Sequence, residues 1–276
     1  MAITASDVNK LRQQTGAGMM DCKNALVEAD GDFEAAIDIL RKKGQKIAAK
    51  RGENEAKEGL IIAEASEDGS FGVIVSLNCE TDFVAKNDGY RALVQSIVDV
   101  AMKQRPDSAD ALKALAYDDR LTVDEKITEQ IGVIGEKLDL SSYGTISASK
   151  VVAYNHPGNQ LATLVGLNSE SEAAKDAGKQ VAMQVAAMNP IALDKDGVDA
   201  RTIEREIEVG KALAIQEGKA EDMAEKIAMG RLSKFFKENT LMSQEFIIDN
   251  KITVEQFLSS SEKGLTVTEF KRFSLS

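Results

Sequence analysis

The sequence predicts an α+β protein, because helical regions flank a middle region with strand-like patterns. Residues 4–44 carry apolar side chains every three or four positions, which is the period of one helix face. From Gly59 the pattern changes, and runs rich in β-branched residues flank a turn at 67–70. Residues 199–240 return to a helical period without a proline. We therefore expect a small helical bundle, a core that contains strands, and a long helical hairpin.

The first region predicts three short helices. Capping residues or a preceding glycine mark their starts, which lie at Thr4 or Ser6, at Met19 and at Asp32. The third helix is predicted to end before Gly44, because glycine commonly follows a helix C-terminus. A charged stretch with many alanines, at 45–58, is then expected to be a linker.

The middle region predicts two units of the same kind, each a β-hairpin followed by a helix. The four predicted strands lie at 60–64, 73–77, 151–154 and 161–165. In the first hairpin Asp68-Gly69 supplies the positive φ of a tight turn, and the second turn is centred on 155–159. The helices that follow are predicted at 90–104 and 172–188, with a further amphipathic helix at 123–138 between the units.

The two units resemble copies of an internal repeat, although chance similarity of short strands is the alternative. The segments LNCE at 77–80 and LNSE at 167–170 each lead to an Ala-Lys pair. The first copy inserts residues 81–84, among them Phe83, where the second copy has only 171–173. A large aromatic side chain is therefore predicted at a polar junction between strand and helix.

Residues 199–240 predict two antiparallel helices that break at 217–219, which indicates a coiled-coil hairpin with charged outer faces. Beyond it, the sequence predicts a serine turn at 259–261 and a closing strand at 266–270. The expected domains are 1–50 for a separable helical module, 51–140 for the first core subdomain, and 141–276 for the second, with the coiled coil inserted at about 199–240.

The composition argues against several functional classes. Lys and Arg number 34 against 45 Asp and Glu, and the net charge of -11 does not suit a general nucleic-acid binder, which needs clustered basic charge. No apolar stretch is long enough to span a membrane, and the first residues lack a basic region followed by an apolar block. We therefore expect a cytoplasmic protein that contacts neither nucleic acid nor membrane.

Residue types that carry catalysis are scarce. His156 is the only histidine, and Cys22 and Cys79 lack a CxxC spacing, so we expect buried free thiols and no zinc site. No serine lies in a GxSxG motif, and Gly178-Lys179 lacks the rest of a phosphate-binding loop. Binding is favoured over catalysis, without a cofactor or metal. A hydrolase that uses His156 or Cys79 is the alternative.

Several residues fit either a structural role or a contact surface. Phe83 is either a core residue or an exposed apolar anchor. Consecutive residues on a helix point about 100° apart, so only one of Met19 and Met20 is expected to face the small core of the bundle. His156 precedes a proline in a turn and is expected to be exposed. The basic run at 41–51 is assigned to the helix dipole rather than to RNA contact.

Two long motifs are specific enough to indicate a family. They are TGAGMMDCKNAL at 15–26 and NCETDFVAKN at 78–87, and in this order they closely resemble bacterial elongation factor Ts. The resemblance covers the chain, from a three-helix module like the ubiquitin-associated fold, through two related core subdomains and an inserted coiled coil, to FKRF at 270–273. The chain departs from the family at Glu80, where glutamine is common, and at Pro157. The extra C-terminal module of some relatives is expected to be missing.

The resemblance implies guanine-nucleotide exchange on elongation factor Tu during translation, by binding alone. The residues implied to bind this partner and to dislocate its magnesium ion are Thr81, Asp82, Phe83, Val84 and Ala85. The further implied contacts are Arg12, Met19, Met20 and His156. A one-to-one or a two-to-two complex fits equally well. The alternative is an adaptor that binds a peptide or a ubiquitin-like protein and dimerises through its core.

Overall fold

The computed structural model describes residues 3–275 and shows the predicted α+β class. Eleven α-helices and six β-strands form within this range. The helices are α1 (Ala5–Thr15), α2 (Met19–Glu28), α3 (Phe33–Arg51), α4 (Asp82–Ala85), α5 (Asp88–Gln104), α6 (Ala109–Ala114), α7 (Val123–Ile134), α8 (Glu172–Met188), α9 (Ala200–Gln216), α10 (Glu221–Asn239) and α11 (Val254–Ser261). The strands are β1 (Glu58–Ala65), β2 (Phe71–Cys79), β3 (Leu138–Ser147), β4 (Lys150–Asn155), β5 (Leu161–Leu167) and β6 (Val267–Ser274).

The strands form two antiparallel three-stranded sheets, ordered β1-β2-β3 and β4-β5-β6. Both predicted hairpins are confirmed, and so is the closing strand, which is β6. The first hairpin turns at Gly69, whose φ of 72° lies in the region that glycine adopts without strain. In each sheet the third strand joins from far along the chain, so local patterns alone could not predict which strand it pairs with.

Strand β3 is not predicted by the sequence pattern, and the predicted helix at 123–138 is too long. Helix α7 ends at Ile134, because Gly135 adopts a φ of 81°, and Leu138 begins β3 instead. Many β3 side chains are polar and half-buried or exposed. The strand therefore lacks the run of buried β-branched residues that marks a central strand.

The two sheets pack on each other, and helices cover their outer faces. Side chains alternate along a strand, so Leu60 and Ile62 of β1 face the helices, in one cluster with residues of α5 and α7. Ile61 and Ala63 instead join a cluster between the sheets. The side chain of Asn155 in β4 links the two sheets. Its amide accepts a hydrogen bond from the Ala63 N–H of β1 and donates one to the Ala63 carbonyl, both at 2.8 Å.

Helix α3 continues through Gly44 to Arg51, so the predicted helix end before Gly44 is wrong. Half of the linker expected at 45–58 is therefore helical, and only residues 52–57 separate α3 from β1. Gly44 is buried where α3 packs on α7, and a Cβ added at Gly132 of α7 would lie 2.7 Å from the Gly44 Cα. Further along α3, Ile47 packs against the main core. Glycine here permits close approach of two helices rather than ending one of them.

The two hairpin-plus-helix units share more than strand order. Helices α5 and α8 both have 17 residues. Each stops at a left-handed residue that precedes a proline, Arg105 with a φ of 50° and Asn189 with a φ of 44°. Proline disfavours the helical conformation of the preceding residue, which accounts for the common stop. One difference is α4, which is present in the first unit, whereas Ser171 caps α8 directly in the second.

The predicted helical hairpin is present as α9 and α10, with Gly218 at its turn. Near the C-terminus, the predicted turn at 259–261 is wrong, because these serines belong to α11. The hydroxyls of Ser260 and Ser261 donate to the carbonyl of Phe257 at 2.7 and 3.0 Å, which satisfies them within the helix. None of the helices in the described part of the chain has the length and apolar character needed to cross a membrane.

Candidate partner-docking site

Phe83 is an exposed residue, with 83% of its surface accessible. It lies in α4, a single helical turn inserted between β2 and α5. Thr81 caps the turn, with its hydroxyl 3.5 Å from the N–H of Val84, and Ala85 is buried beneath it. The structure therefore excludes the core role that the sequence left open for Phe83, and the predicted residues 81–85 are neighbours on one short turn.

Glu136, in the loop between α7 and β3, holds the start of this turn. Its carboxylate accepts from the N–H of Thr81 at 3.0 Å and from the Thr81 hydroxyl at 2.7 Å. The thiol of Cys79 donates to the Thr81 carbonyl at 3.2 Å. Sequence analysis missed Glu136, because 55 residues separate it from Thr81 and no local pattern links them.

Glu80 ties the same turn to helix α3. Its carboxylate accepts two hydrogen bonds from Arg51 at 2.9 and 2.8 Å, one from Asn54 at 3.0 Å and one from the N–H of Lys137 at 2.6 Å. Burial alone raises the pKa of Glu80, but the hydrogen bonds from Lys137, Arg51 and Asn54 outweigh it and lower the pKa below its ordinary value. The departure from glutamine at this position thus provides a charged link between α3 and the 81–85 turn.

The lowered pKa of Glu80 predicts an acid-sensitive contribution to stability. Because the folded pKa lies below the unfolded value of about 4.3, the stabilisation is fully present above that value and is lost as pH falls through the folded pKa. Glu80→Gln is expected to lower the free energy of unfolding by about 1 to 2 kcal/mol at pH 7. The deficit should shrink as denaturation is repeated down to roughly pH 3.

The exposed turn residue Glu67 provides the control for this experiment. Glu67→Gln should leave the free energy of unfolding nearly unchanged across the same pH range, because exposed surface substitutions usually change it by less than about 0.5 kcal/mol. A Glu80→Gln deficit that stays constant as the pH falls would show that the lowered pKa does not stabilise the fold.

Asp82 forms an exposed ion pair with Lys86, one helical turn later, at 2.6 Å. The hydrogen bond from Lys86 lowers the pKa of Asp82, so the carboxylate is charged at neutral pH. Exposed pairs of this kind contribute little to stability. Asp82 could therefore leave Lys86 and pair with a cationic side chain of a partner at little cost in stability.

Met19 and Met20 are both exposed, with 48% and 65% of their surfaces accessible, so the expectation that one of them faces the core is wrong. They occupy the first turn of α2, and the buried face of that helix begins at Cys22 and continues through Ala25 and Leu26. The bundle thus presents two adjacent methionines to solvent. Arg12, in the last turn of α1, is exposed as well.

His156 is exposed in the β4–β5 turn, as expected, and its Nδ1 lies 3.0 Å from the Tyr154 hydroxyl. The turn is anchored to the first unit, because Asn159 accepts from Arg91 of α5 at 2.9 Å. Arg91 lies in the first turn of α5, which follows α4 directly. The structure therefore brings the His156 turn into contact with α5, the helix that follows the turn carrying Phe83. Pro157 does not remove the exposure of His156.

The two cysteines are buried free thiols, as predicted. Burial raises the pKa of the Cys79 thiol to about 11, and it raises the pKa of the Cys22 thiol as well. Only a small fraction of either thiol is therefore ionised at neutral pH, although the thiolate is the nucleophilic form. This does not favour the hydrolase alternative. Within residues 3–275, no group of three or more His, Cys, Asp or Glu side chains could hold a metal ion.

An exposed aromatic ring on a turn held by hydrogen bonds, together with an exposed methionine pair, is typical of a protein-binding surface. Comparison with known proteins specifies the family. The sequence model described as Elongation factor TS matches residues 80–276. The chain is 54% identical over 273 residues to Elongation factor Ts of Amoebophilus asiaticus, covering 99% of this chain and 98% of the relative. It is 51% identical over 275 residues to Elongation factor Ts of Cytophaga hutchinsonii, covering 99% of each. The chain belongs to the elongation factor Ts family.

Proposed function

We propose that the protein is a guanine-nucleotide exchange factor that acts on elongation factor Tu during translation elongation. Its membership of the elongation factor Ts family supports this role. The observation that carries the mechanism is Phe83, an aromatic side chain that is 83% exposed on a turn whose backbone is held by hydrogen bonds. Exchange needs no broken bond. The factor must only bind the nucleotide-free GTPase more tightly than the nucleotide-bound form, so that GDP and the factor lower each other's affinity.

In this mechanism the 81–85 turn acts as a wedge. Phe83 enters the GTPase and displaces the helices that hold its magnesium ion, while Asp82 adds charge at the rim. A magnesium ion is the largest positive charge at a nucleotide site, so its displacement leaves the phosphates of GDP without neutralisation. Thr81 and Val84 flank the ring on the turn, whereas Ala85 is buried and supports the turn from the core instead of contacting the partner. Nucleotide release then accelerates because the bound state is destabilised.

The rest of the chain supplies further contacts with the same partner. We propose that residues 1–50 are the docking module, through Arg12, Met19 and Met20, because methionine side chains suit adaptable protein-binding surfaces. His156 contacts the partner from the second core subdomain. The proposed subdomains are 51–140 and 141–276, with the coiled coil at about 199–240 as an additional contact. The role places the protein in the cytoplasm, and sedimentation of the complex distinguishes one-to-one from two-to-two stoichiometry.

The adaptor alternative is not favoured, because relatives named Elongation factor Ts match 99% of this chain, the bundle as well as the core. The deciding experiment measures release of fluorescently labelled GDP from elongation factor Tu after excess unlabelled GDP is added. Addition of the protein is expected to accelerate release in a saturable manner, and excess GDP should dissociate the complex of the two proteins. An unchanged release rate at saturating protein would refute the exchange role.

The exposure of both methionines predicts that Met19→Ala and Met20→Ala act alike. Each is expected to weaken binding to the GTPase by about 1 to 2 kcal/mol, as truncation of an interface side chain does, without changing the melting temperature. Leu26→Ala is the matched control in the same helix, because Leu26 is fully buried. It should lower the free energy of unfolding by about 2 to 5 kcal/mol. Calorimetry measures both quantities, and a methionine variant that melts early but binds normally would contradict the docking role.

A further inference from the structure

The position of Phe83 is set by the backbone of its turn rather than by packing of its ring, because the ring is 83% exposed. Helix α4 has only 4 residues. A helix of one turn has too few internal hydrogen bonds to be stable alone. Contacts from outside the turn must therefore determine where the ring points.

The strongest of these contacts form a reciprocal link between residues 80–81 and 136–137. The Glu80 carboxylate accepts from the N–H of Lys137 at 2.6 Å, and the Glu136 carboxylate accepts from the N–H of Thr81 at 3.0 Å. Glu136 also accepts a hydrogen bond from the Thr81 hydroxyl, at 2.7 Å. This bond directs the lone pairs of the hydroxyl toward the N–H of Val84, which is the capping geometry of α4.

We propose that Glu136 is a positioning residue for nucleotide exchange, which fixes the 81–85 turn so that Phe83 is presented in its working orientation. The inference rests on the exchange function proposed above. A turn that is already ordered does not lose conformational entropy when the ring enters the partner. A mobile turn loses that entropy at the step that uses the ring. Loss of Glu136 therefore lowers the maximal rate of GDP release more than it changes the half-saturating concentration of the factor.

The first test compares Glu136→Ala with Glu136→Gln in the GDP-release assay. Glu136→Ala is expected to lower the maximal acceleration by about tenfold or more, which is the rate equivalent of losing a hydrogen bond to a charged group. The half-saturating concentration should change by less than about twofold. Glu136→Gln should restore most of the rate, because its amide can accept from the Thr81 N–H and donate to the Thr81 hydroxyl.

The second test asks whether Glu136 acts through Phe83. In a Phe83→Ala background, Glu136→Ala is expected to cause little further loss, because residues that act through one another are not additive. A general structural defect would instead multiply the two losses. The Phe83→Ala arm also separates the two proposals. If the Phe83→Ala protein accelerates GDP release as much as the unaltered protein does, the wedge mechanism itself fails. If Phe83→Ala loses the acceleration but Glu136→Ala keeps it, only the positioning role is overturned.

The third test uses the protein without its partner. The sequence contains no tryptophan, so an introduced tryptophan is the single reporter of its kind. Phe83→Trp places a single fluorescent reporter at the tip of the turn. Combined with Glu136→Ala, it should show a larger fast component in time-resolved fluorescence anisotropy, which reports local motion of the turn. An unchanged anisotropy decay would overturn the proposal that Glu136 fixes the turn.

A matched control exists at the other end of α7, where Glu125 accepts from the N–H and the hydroxyl of Thr122 at 2.9 and 3.3 Å. Glu125→Ala removes a carboxylate that accepts the same two kinds of hydrogen bond from a threonine cap, at a position remote from Phe83 in sequence. The Glu125→Ala protein should accelerate GDP release as much as the unaltered protein does. A loss equal to that of Glu136→Ala would overturn the assignment. If Glu136→Ala melts early, Glu136→Asp provides the same comparison, because it keeps the charge and withdraws the carboxylate by one methylene.

Discussion

Phe83→Ala is expected to remove most of the acceleration of GDP release while leaving the melting temperature nearly unchanged. Loss of an aromatic hot spot costs about 2 to 4 kcal/mol of interaction free energy. If that energy is used to reach the nucleotide-releasing state, the acceleration falls by roughly 30-fold or more, at about 1.4 kcal/mol for each factor of ten. Stability should not fall, because a side chain with 83% of its surface exposed leaves no cavity in the protein's own core.

Phe246 provides the opposite case within the same chain. It is 2% exposed and stacks on Phe257 with ring centroids 4.0 Å apart. Phe246→Ala is expected to lower the free energy of unfolding by about 3 to 5 kcal/mol. Asp82→Ala should slow exchange in the same direction as Phe83→Ala but more weakly, because a partly solvated charge contributes less than a desolvated ring. Full exchange activity in a stable Phe83→Ala protein would disprove the wedge while leaving the family membership intact.

The 81–85 turn is attached through its neighbours to the end of α3 and to the loop after α7. Glu80 receives Arg51 from the end of α3, and Glu136 approaches from the end of α7. These two helices also pack on each other at Gly44 and Gly132. Helix packing and hydrogen bonds therefore connect the bundle that carries Met19 and Met20 to the turn that carries Phe83. A partner that binds both surfaces meets two contacts held in a fixed relation, which reduces the entropy lost on binding.

Local sequence signals predicted most of the helices and both hairpins. Helix α8 has the predicted bounds of 172–188, because a serine cap and an Asn-Pro stop enclose a clear apolar stripe. Strand β3 could not be predicted, since it is an edge strand with polar, half-buried positions and its partner β2 is distant in the chain. The end of α3 was wrong for a related reason. A glycine that ends a helix and a glycine that admits a neighbouring helix look the same in sequence.

The candidate site divides along the same line. The insertion that contains Phe83 is visible when the two units are compared, because it needs only neighbouring residues. The exposure of Phe83 and of both methionines depends on tertiary packing, and so do the hydrogen bonds that Thr81 donates to Glu136. A one-turn helix carries no periodic signal, and a bond across 55 residues leaves none either. The sequence therefore indicates which residues are unusual, and the fold determines which of them are held in place.

Gly132→Ala is expected to destabilise the protein by forcing α3 away from α7. The added Cβ would lie 2.7 Å from the Gly44 Cα, and this neighbour is backbone that cannot rotate away. Overpacking of this kind costs about 1 to 3 kcal/mol, toward the upper end where only backbone can move. At about 2 to 4 °C for each kcal/mol, the melting temperature should fall by roughly 5 to 10 °C. Binding to the GTPase should also weaken, because the docking bundle shifts relative to the 81–85 turn.

Two other helical glycines make the prediction quantitative. At Gly44 an added Cβ would lie 3.1 Å from the Thr128 carbonyl oxygen, so Gly44→Ala should lower the melting temperature by less than Gly132→Ala. At Gly230 on α10 nothing lies within 4 Å, and Gly230→Ala should raise stability by about 0.5 to 1 kcal/mol through helix propensity alone. Differential scanning calorimetry of the three variants tests the order. If Gly132→Ala melts at or above the temperature of Gly230→Ala, α3 and α7 do not pack closely, and the bundle is joined to the core by a flexible connection instead.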